Sequence, residues 1–280
     1  MAHLGENRYG KSRVRVMKVV RHANYHTMKE WSVRVLLHGD FESCFTEGDN
    51  SSILSTDTMK NTVYWLARES QASTLEEYAI ELVEYLLANN AQVTKASAEV
   101  DEKSWERVLV DDKPHGTTYR LAGPELQTAE VSRERGGSLE IRSGIDGLVI
   151  LKTTKSAFTG YIKDKLTTLP ESTDRIFGTR ATAVWDFSKP PESYELARAA
   201  ALGALVKTFA EHDSLSVQHT LYDMGEAMLA AVPGMARVTL TMPNLHCHLV
   251  DLSRFGQENP NQIFVPTDEP HGYIEATITR

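Results

Sequence analysis

The same order of predicted strands and helices occurs twice along the 280-residue chain, and this duplication constrains the fold more than any other feature. In each half the hydrophobic pattern predicts two strands, two helices and two more strands. Such a unit forms an antiparallel sheet with helices on one face, so its other face must be covered by something else. We therefore predict an α+β protein whose two sheets close into a β-barrel by self-association, which also removes exposed strand edges.

The first half shows this pattern clearly. The pattern of polar and apolar residues predicts strands over residues 13–20, 33–37, about 93–110 and about 117–131. A turn at 111–114 joins the last two strands. A helix is predicted over about 58–68, and Ser73 and Glu76 have capping-box spacing, which predicts the start of a second helix. This second helix has one apolar face, which needs a sheet to pack on.

A charged stretch that ends in Gly136 and Gly137 predicts the boundary between the halves. We expect a first domain over residues 1–135 and a second over 136–280. Strand-like segments of the second half are 139–141, 148–151, 181–187, 238–242 and 273–278. A long helix is predicted after Pro191. Its buried face is expected to contain Leu196, Ala199, Ala200, Gly203, Val206 and Phe209.

The composition is that of an ordinary soluble globular protein, with 41% hydrophobic and 24% charged residues. The net charge of -8 and the lack of a basic tract argue against a nucleic-acid partner. No apolar run approaches the ~20 residues of a membrane span, and the N-terminus lacks the apolar region of a signal peptide. Cys44 and Cys247 are too few for a disulfide framework, which favours a reducing compartment. We therefore expect a cytoplasmic protein with no membrane partner.

The helix start within residues 52–62 offers a receptor for an anion. Thr56 and Asp57 lie where an extended run turns into the helix, so their backbone amides point outward at a positive helix end. Ser, Thr and Asp are also ordinary N-caps, so a purely structural role stays open. Lys11 follows Gly10 at the start of a strand, where its side chain either reaches a ligand beyond the sheet edge or is simply solvated.

A long connection in the second half carries an aromatic ring and a cation. Connections of this length within a compact domain are often functional. Phe158 offers a face for stacking on a planar ligand, and Arg175 offers a forked pair of charged hydrogen bonds. The structural alternatives are a surface apolar contact for the ring and, for Arg175, a salt bridge to Asp174 or Glu171.

Further polar groups lie at another helix start and beside a strand break. Ser216 begins a helix, which places the amide of Val217 and the side chain of Gln218 near its positive end. First-turn polar residues are also common without a ligand. His246 and His248 share one face of a strand that resumes after a proline, but two histidines without a third ligand make an incomplete metal site. We favour His246 as a single catalytic histidine, with a buried structural histidine as the alternative.

Several blocks of sequence occur in one order along nearly the whole chain. They are Arg8–Lys11, Gly48–Asn50, Thr56–Thr58, Lys60–Thr62, Leu151–Thr154, Thr167–Leu169, Asp174–Ile176, Ser216–Gln218 and Pro243–His246. Together these blocks resemble the urate oxidase (uricase) family. The segment Phe255–Asn261 is similar to the bacterial branch of that family. Leu245 departs from the pattern, because many members have a lysine between the asparagine and the histidine.

The resemblance implies a tandem pair of tunnelling-fold (T-fold) domains that assemble into a homotetramer with a central tunnel. It also implies that each active site lies between two subunits. One subunit would contribute Lys11, Thr56 and Asp57. Its neighbour would contribute Phe158, Arg175, Val217, Gln218, Asn244 and His246. This architecture agrees with the duplicated order of strands and helices.

The resemblance further implies the oxidation of urate by dioxygen and water to 5-hydroxyisourate and hydrogen peroxide, a step of purine degradation, without metal or other cofactor. Lys11, Thr56 and His246 would form a proton relay. The substrate would be held by Thr56, Asp57, Phe158, Arg175, Val217, Gln218 and Asn244. The chain contains no Gly-x-Gly-x-x-Gly fingerprint after a strand, which is consistent with this expectation.

Two other functions stay open at this point. One is a T-fold protein that binds a purine or pterin without turnover. The other is a metal-dependent T-fold enzyme that uses His246 and His248. Loss of a relay residue would favour the first, but Lys11, Thr56 and His246 are all present.

The end of the sequence bears on location through the same resemblance. Eukaryotic relatives often end in a Ser-Lys-Leu-like peroxisomal tripeptide, whereas the sequence here ends Ile278-Thr279-Arg280. We therefore expect a cytoplasmic enzyme of bacterial type.

Overall fold

The computed structural model describes residues 2–280, and the chain divides into two compact units, Met1–Ile145 and Asp146–Arg280. This division falls within the strand Leu139–Lys152. The predicted domain boundary between residues 135 and 136 lies in the turn just before that strand. Each unit combines antiparallel strands with helices, as expected for an α+β protein.

The first unit has the predicted order of two strands, two long helices and two strands. Its elements are β1 (Tyr9–Arg21), β2 (His26–Gly39), α1 (Glu42–Thr46), α2 (Thr56–Glu69), α3 (Leu75–Asn89), β3 (Val93–Val110), β4 (Lys113–Glu134) and the first part of β5 (Leu139–Lys152). Antiparallel pairing joins β1 to β2, β2 to β3 and β3 to β4. The short helix α1 is an addition that the hydrophobic pattern did not predict.

The core of the first unit lies between this sheet and helices α2 and α3. Alternate residues of β2, Val33, Val35 and Leu37, are fully buried, as the period of two along a strand requires. Trp31 of the same strand stacks on Tyr78 of α3, with ring centroids 4.5 Å apart and planes 16° apart. The sheet is therefore covered by helices on the face that these residues share.

Helix α3 begins one residue later than the sequence predicted. The capping box uses Thr74 and Glu77, not Ser73 and Glu76. The carboxylate of Glu77 accepts hydrogen bonds from the backbone N–H groups of both Ser73 and Thr74, so it satisfies two donors that the helix leaves unpaired. Glu76 is instead buried, and the hydroxyl of Ser143 donates to its Oε1 at 2.6 Å.

The turn between β3 and β4 is also tighter than predicted. Asp111 and Asp112 have φ values of 51° and 59°, which is the geometry of a two-residue hairpin turn that follows the natural twist of the strands. Because only these two residues form the turn, Lys113 and Pro114 already belong to β4 and pair with β3. Strand β4 therefore starts before residue 117.

The second unit contains the rest of β5, followed by β6 (Phe177–Phe187), α4 (Tyr194–Glu211), α5 (Val217–Ala231), β7 (Met235–Thr241), β8 (Asn244–Leu249), a short 3-10 helix (Ser253–Phe255), β9 (Phe264–Thr267) and β10 (Glu275–Thr279). The segments 139–141 and 148–151 thus belong to one strand, β5. Antiparallel pairing joins β6 to β7 and β7 to β10. Strand β8 pairs with β6 at one end and with β9 along its length.

The predicted buried face of α4 is wrong except at Phe209. The buried residues are Tyr194, Ala197, Arg198, Ala201, Leu205 and Phe209. Leu196 and Val206 are 71% and 43% exposed. The helix is so rich in alanine that its two faces differ little in hydrophobicity. The guanidinium of Arg198 lies over the Trp185 ring, 5.5 Å from its centroid, and this contact turns the face that carries Arg198 inward.

Within residues 2–280, no helix combines the length and the apolar character needed to cross a membrane. Both cysteines are free thiols.

Gly10 is the position in the first unit where a side chain is least tolerated. A Cβ built there would lie 1.8 Å from the carbonyl oxygen of Val35 on the paired strand. We predict that Gly10→Ala lowers the free energy of unfolding by about 1–3 kcal/mol, because β1 must move away from β2. Chemical denaturation measures this change. Gly5→Ala is the matched control, since nothing lies within 4 Å of a Cβ there, and equal stability of the two variants would contradict the prediction.

Candidate active site

Lys11 lies near the start of β1, paired with Val35 of β2. The pairing register shifts between Lys11 and Val14, and Arg13 within this interval has a φ of 57°. An irregularity of this kind bends the strand and redirects the side chains beside it. Lys11 is half-buried at this bulge, so its position is fixed by the strand irregularity.

Thr56 and Asp57 are the first two residues of α2, which begins two residues earlier than the predicted start at about residue 58. The N-cap is Ser55, whose Oγ accepts a hydrogen bond from the backbone N–H of Thr58 at 3.0 Å. Ser55 therefore fills the structural role that Thr56 and Asp57 were considered for, and both residues are exposed. The first N–H groups of a helix have no partner within the helix, so those of Thr56 and Asp57 face outward as donors.

The carboxylate of Asp57 is held by its own helix. Lys60 Nζ donates to Oδ1 at 2.5 Å, and Asn61 Nδ2 donates to Oδ2 at 3.1 Å. The hydrogen bond from Lys60 lowers the pKa of Asp57, and the charge of Lys11 lowers this pKa further. Lys11 and the start of α2 are therefore within electrostatic range of each other. Because the carboxylate of Asp57 is already paired, the group of Asp57 that is left to donate is its backbone amide.

In the second unit, Phe158 lies on the connection between β5 and β6. An isolated antiparallel bridge to Ser172 holds its backbone, with N···O distances of 2.7 and 3.1 Å. The ring of Tyr161 stacks on that of Phe158, with centroids 4.7 Å apart and planes 12° apart. The bridge and the stacked ring fix the orientation of an aromatic face that the sequence proposed for a planar ligand.

The guanidinium of Arg175 lies 5.3 Å from the centroid of the Phe158 ring. Neither of the salt bridges considered as structural alternatives for Arg175 forms. Asp174 instead accepts from Thr154 Oγ1 at 2.7 Å, and Glu171 pairs with Lys163 at 2.8 Å. Burial lowers the pKa of the Arg175 guanidinium, which nevertheless stays charged because its ordinary pKa is so high. The arrangement presents a partly buried cation beside an aromatic ring.

Helix α5 begins at Val217, as predicted, with Ser216 as its N-cap. The Oγ of Ser216 accepts from the N–H of His219 at 3.1 Å. Val217 is buried, whereas Gln218 is exposed. The N–H groups of this first turn and the amide of Gln218 therefore face outward at the positive end of the helix.

Asn244 is the first residue of β8, so the break that the sequence predicted at Pro243 and Asn244 lies one residue earlier, at Met242 and Pro243. The backbone N–H of Asn244 donates to the carbonyl of Gly272 at 3.0 Å. A Cβ at Gly272 would lie 3.1 Å from Asn244 Nδ2, so a larger residue there would push the Asn244 amide by a few tenths of an ångström. The side-chain oxygen of Asn244 is buried and has no hydrogen-bond partner within residues 2–280. Such an oxygen is a place for a ligand or an ordered water.

His246 and His248 share a face of β8, as the strand period requires, and their rings stack with centroids 5.8 Å apart. Burial lowers the pKa of His246. The positive charges of His248, Arg175 and His271 lower this pKa further. His246 is therefore a neutral imidazole near pH 7, able to accept a proton.

The predicted site residues fall into two groups. Lys11, Thr56 and Asp57 form one group at the bulge of β1 and the start of α2, in the first unit. The second unit carries Phe158, Arg175, Val217, Gln218, Asn244 and His246, with the ring, the guanidinium and the imidazole linked by contact or by charge. This division coincides with the one that the family resemblance implied.

A cleft of about 1050 Å³ lies elsewhere in the first unit, between the strands β1 and β2 and the end of α2. Arg15, Met17 and Tyr64 are among its lining residues. None of the predicted site residues lines it, so it is separate from the candidate active site.

Sequence reasoning missed several residues that support the site. Tyr161 stacks on Phe158. The presence of a second aromatic residue only three positions further along the chain could have predicted this contact. His271 and Gly272 lie outside every block that carried the resemblance, yet they contact or influence Asn244 and His246. Only the folded chain brings the loop before β10 beside β8.

Residues 7–132 and 141–275 match the protein-family profile described as Uricase. The chain is 39% identical over 277 residues to the uricase of Arthrobacter globiformis. The aligned region covers 99% of this chain and 90% of that protein. It is 40% identical over 299 residues to uricase-2 isozyme 2 of Glycine max, with coverage of 98% and 94%.

The solved structures agree with the sequence comparison. The crystal structure of uricase from Arthrobacter globiformis superposes with a TM-score of 0.94 at 39% identity, covering 100% of this chain and 96% of that one. This similarity confirms the predicted α+β T-fold architecture. With a profile match across nearly its full length and full-length relatives at this level of identity, the chain belongs to the uricase family.

Proposed function

We propose that this chain catalyses the oxidation of urate by dioxygen and water to 5-hydroxyisourate and hydrogen peroxide. Family membership supports the reaction. The single observation of the site that carries it is the half-buried guanidinium of Arg175, which lies over the Phe158 ring without a carboxylate partner within residues 2–280. A planar acidic heterocycle matches both groups, because it stacks on a ring and accepts charged hydrogen bonds from a guanidinium.

Substrate binding follows from the hydrogen-bonding groups around that ring. Urate is planar and rich in carbonyl and N–H edges. Phe158 provides the stacking face, while Arg175 and Gln218 bind the pyrimidine edge, and the backbone amides of Val217 and Asp57 complete the set of donors. Hydrogen bonds to charged groups contribute about 1.5–3 kcal/mol each, which is enough to favour a deprotonated oxypurine over a neutral analogue.

Proton transfer is assigned to Lys11, Thr56 and His246. The lysine lowers the pKa of the threonine hydroxyl through its charge, and the neutral imidazole of His246 takes up or returns the proton. Proton transfer by positioned groups accelerates reactions by about 10²- to 10⁴-fold. His246 suits this role because its pKa is lowered by burial, so its neutral form predominates near pH 7.

Asn244 and Thr56 are assigned to the position of dioxygen and later of the attacking water. The buried oxygen of Asn244 lacks a partner, so a water there would satisfy it. We propose that no metal or organic cofactor takes part, because the electron-rich urate anion itself reduces dioxygen. The side chains of the site then orient the reactants and transfer protons.

We further propose that the active enzyme is a homotetramer of two tandem T-fold domains per chain, residues 1–135 and 136–280, whose sheets close into a barrel. Each active site would combine Lys11, Thr56 and Asp57 of one subunit with the residues of the second unit of its neighbour. The division of the site residues between the two units supports this arrangement. We place the enzyme in the cytoplasm, in keeping with its two free thiols.

The reaction is tested with purified protein treated with a chelator. We predict that the ultraviolet absorbance of urate falls in step with oxygen uptake, with about one peroxide formed per urate in line with the balanced reaction, since no metal takes part in the proposed mechanism. Urate binding without either signal would contradict catalysis and favour a binding protein. Activity that is lost with the chelator and restored by metal, while urate binding and the melting temperature stay unchanged, would contradict the cofactor-free mechanism.

The location of the site between subunits is tested by complementation. We predict that Lys11→Ala and His246→Ala are each nearly inactive, because each removes one end of the proton relay. Coexpressed together, they should recover up to about one quarter of wild-type activity, because random pairing at a shared interface restores some intact sites. Tetramers of each variant alone, checked by sedimentation, are the control. No recovery in mixed tetramers would contradict the shared site.

The pH dependence tests the role of His246. Activity requires its neutral form, so kcat/KM falls as the pH drops through the pKa of His246, which lies below its usual value of about 6.5. The charge of His248 contributes to this lowered pKa, so we predict that His248→Ala moves the acid limb to higher pH. Any ionisation of urate is common to both enzymes, and pH profiles of kcat/KM isolate the difference. An acid limb that stays in place or moves to lower pH would refute the assignment.

A further inference from the structure

Outside the proposed active site, three side chains with metal-binding atoms converge where α4 ends and α5 begins. The ligand atoms of His212, His219 and Asp223 all lie within 4.8 Å of one another. His212 Nε2 is 2.9 Å from Asp223 Oδ2, and the rings of His212 and His219 are 4.4 Å apart in an edge-to-face arrangement. None of these residues has a role in the proposed oxidation of urate.

The backbone fixes the three side chains from two elements. His219 and Asp223 are four residues apart on α5, so they lie one above the other on the same face of the helix. His212 is the C-cap of α4, where the chain leaves the helix. The N–H of His212 donates to the carbonyl of Thr208 at 3.0 Å, and Lys152 Nζ donates to the carbonyl of His212 at 2.5 Å.

The donor set has the chemistry of a zinc site. Two imidazoles and one carboxylate are common protein ligands of Zn²⁺ in sites that keep a fourth position for water. Ligand distances of about 2.0–2.2 Å around a tetrahedral ion require the ligand atoms to be roughly 3.3 Å apart. The present separations, 2.9 Å for one pair and at most 4.8 Å for the others, lie on either side of that value.

Thr220 provides the outer support that a metal-binding histidine needs. Its Oγ1 is 3.0 Å from His212 Nδ1 and 3.4 Å from the carbonyl of Ser216. Because a hydroxyl both donates and accepts, it can accept from Nδ1–H of His212 while donating to Ser216. This tautomer of His212 leaves the lone pair of Nε2 free for an ion. Thr220 is fully buried, so the support is rigid.

The cluster is accessible to an ion and its water. The side chains of His212 and Asp223 are 14% and 33% exposed. The other charged groups near His212 are of both signs, the cation Lys152 and the anion Asp213, and Asp213 is paired with Lys155 at 3.4 Å. The carboxylate of Asp223 therefore supplies the local negative charge that favours a cation.

We propose that His212, His219 and Asp223 form a binding site for a divalent transition-metal ion of the zinc class. The ion would tie the end of α4 to the first turns of α5. Val217 and Gln218 occupy the first turn of that helix, so the bound ion fixes the backbone that carries them. The site is structural and lies outside the proton relay.

The test is calorimetric titration of Zn²⁺ into the full-length protein after removal of bound metal with a chelator. We predict saturable binding of about one ion per chain and a higher melting temperature, because the ion binds the folded state. His219→Ala and Asp223→Asn should each weaken binding at least about tenfold, since each removes a ligand. Thr220→Val keeps the shape of the side chain and should weaken binding about 10- to 100-fold, because the hydroxyl supports His212.

His248→Ala is the matched control, because His246 and His248 are the other pair of neighbouring imidazoles in the described part of the second unit. Zinc affinity should be unchanged in this variant. No saturable binding to the wild type, or binding that survives His219→Ala and Asp223→Asn but is lost in His248→Ala, would overturn the proposal. The melting curve of each variant without metal confirms that it is folded. These readouts do not involve urate, so they stand apart from the tests of the proposed reaction.

Discussion

The one-sided packing of helices on the sheet is the constraint on which the rest of the first unit depends. Val33, Val35 and Leu37 point into the core beneath α2 and α3, so the residues between them necessarily point the other way. One of these is Arg34, which forms an ion pair with Glu99 of the neighbouring strand. The uncovered face therefore carries charged pairs that tolerate water. A barrel built from such sheets would enclose a polar interior, in keeping with a tunnel.

The candidate site is built at the points where regular structure is interrupted. Lys11 lies at the bulge of β1, Asn244 follows the break before β8, and Thr56 and Val217 each begin a helix. Interruptions leave backbone donors without partners and direct side chains away from the sheet. At both helix starts a serine provides the cap, Ser55 before α2 and Ser216 before α5, which leaves the following residues available for a ligand. The regular elements hold the candidate residues in place, and the ends of these elements present the polar groups of the candidate site.

Sequence predicted most where a local pattern decides the structure. The bounds of β3 and the start of α5 follow from alternation and capping residues, and the start of α2 and the break before β8 lie within two residues of their predicted positions. It failed for the buried face of α4, where many alanines remove the contrast between faces and tertiary contacts of Arg198 decide. The cluster of His212 with Asp223 was not found, because these residues belong to different elements. The site residues themselves were assigned through the family resemblance, since each of them alone has an equally good structural explanation.

Under the proposed function, electrostatics would couple substrate binding to proton transfer within the second unit. Arg175 is a partly buried cation, and its charge is one of those that lower the pKa of His246. A urate anion bound to Arg175 brings a negative charge to the same place, which offsets the effect of the guanidinium on the imidazole. In the proposed mechanism, this would raise the pKa of His246 when urate binds, so the imidazole would be a stronger base in the complex than in the free protein. Under the proposed function, Arg175 would therefore both bind the substrate and adjust the basicity of His246, and a carboxylate partner for Arg175 among the described residues would weaken both effects.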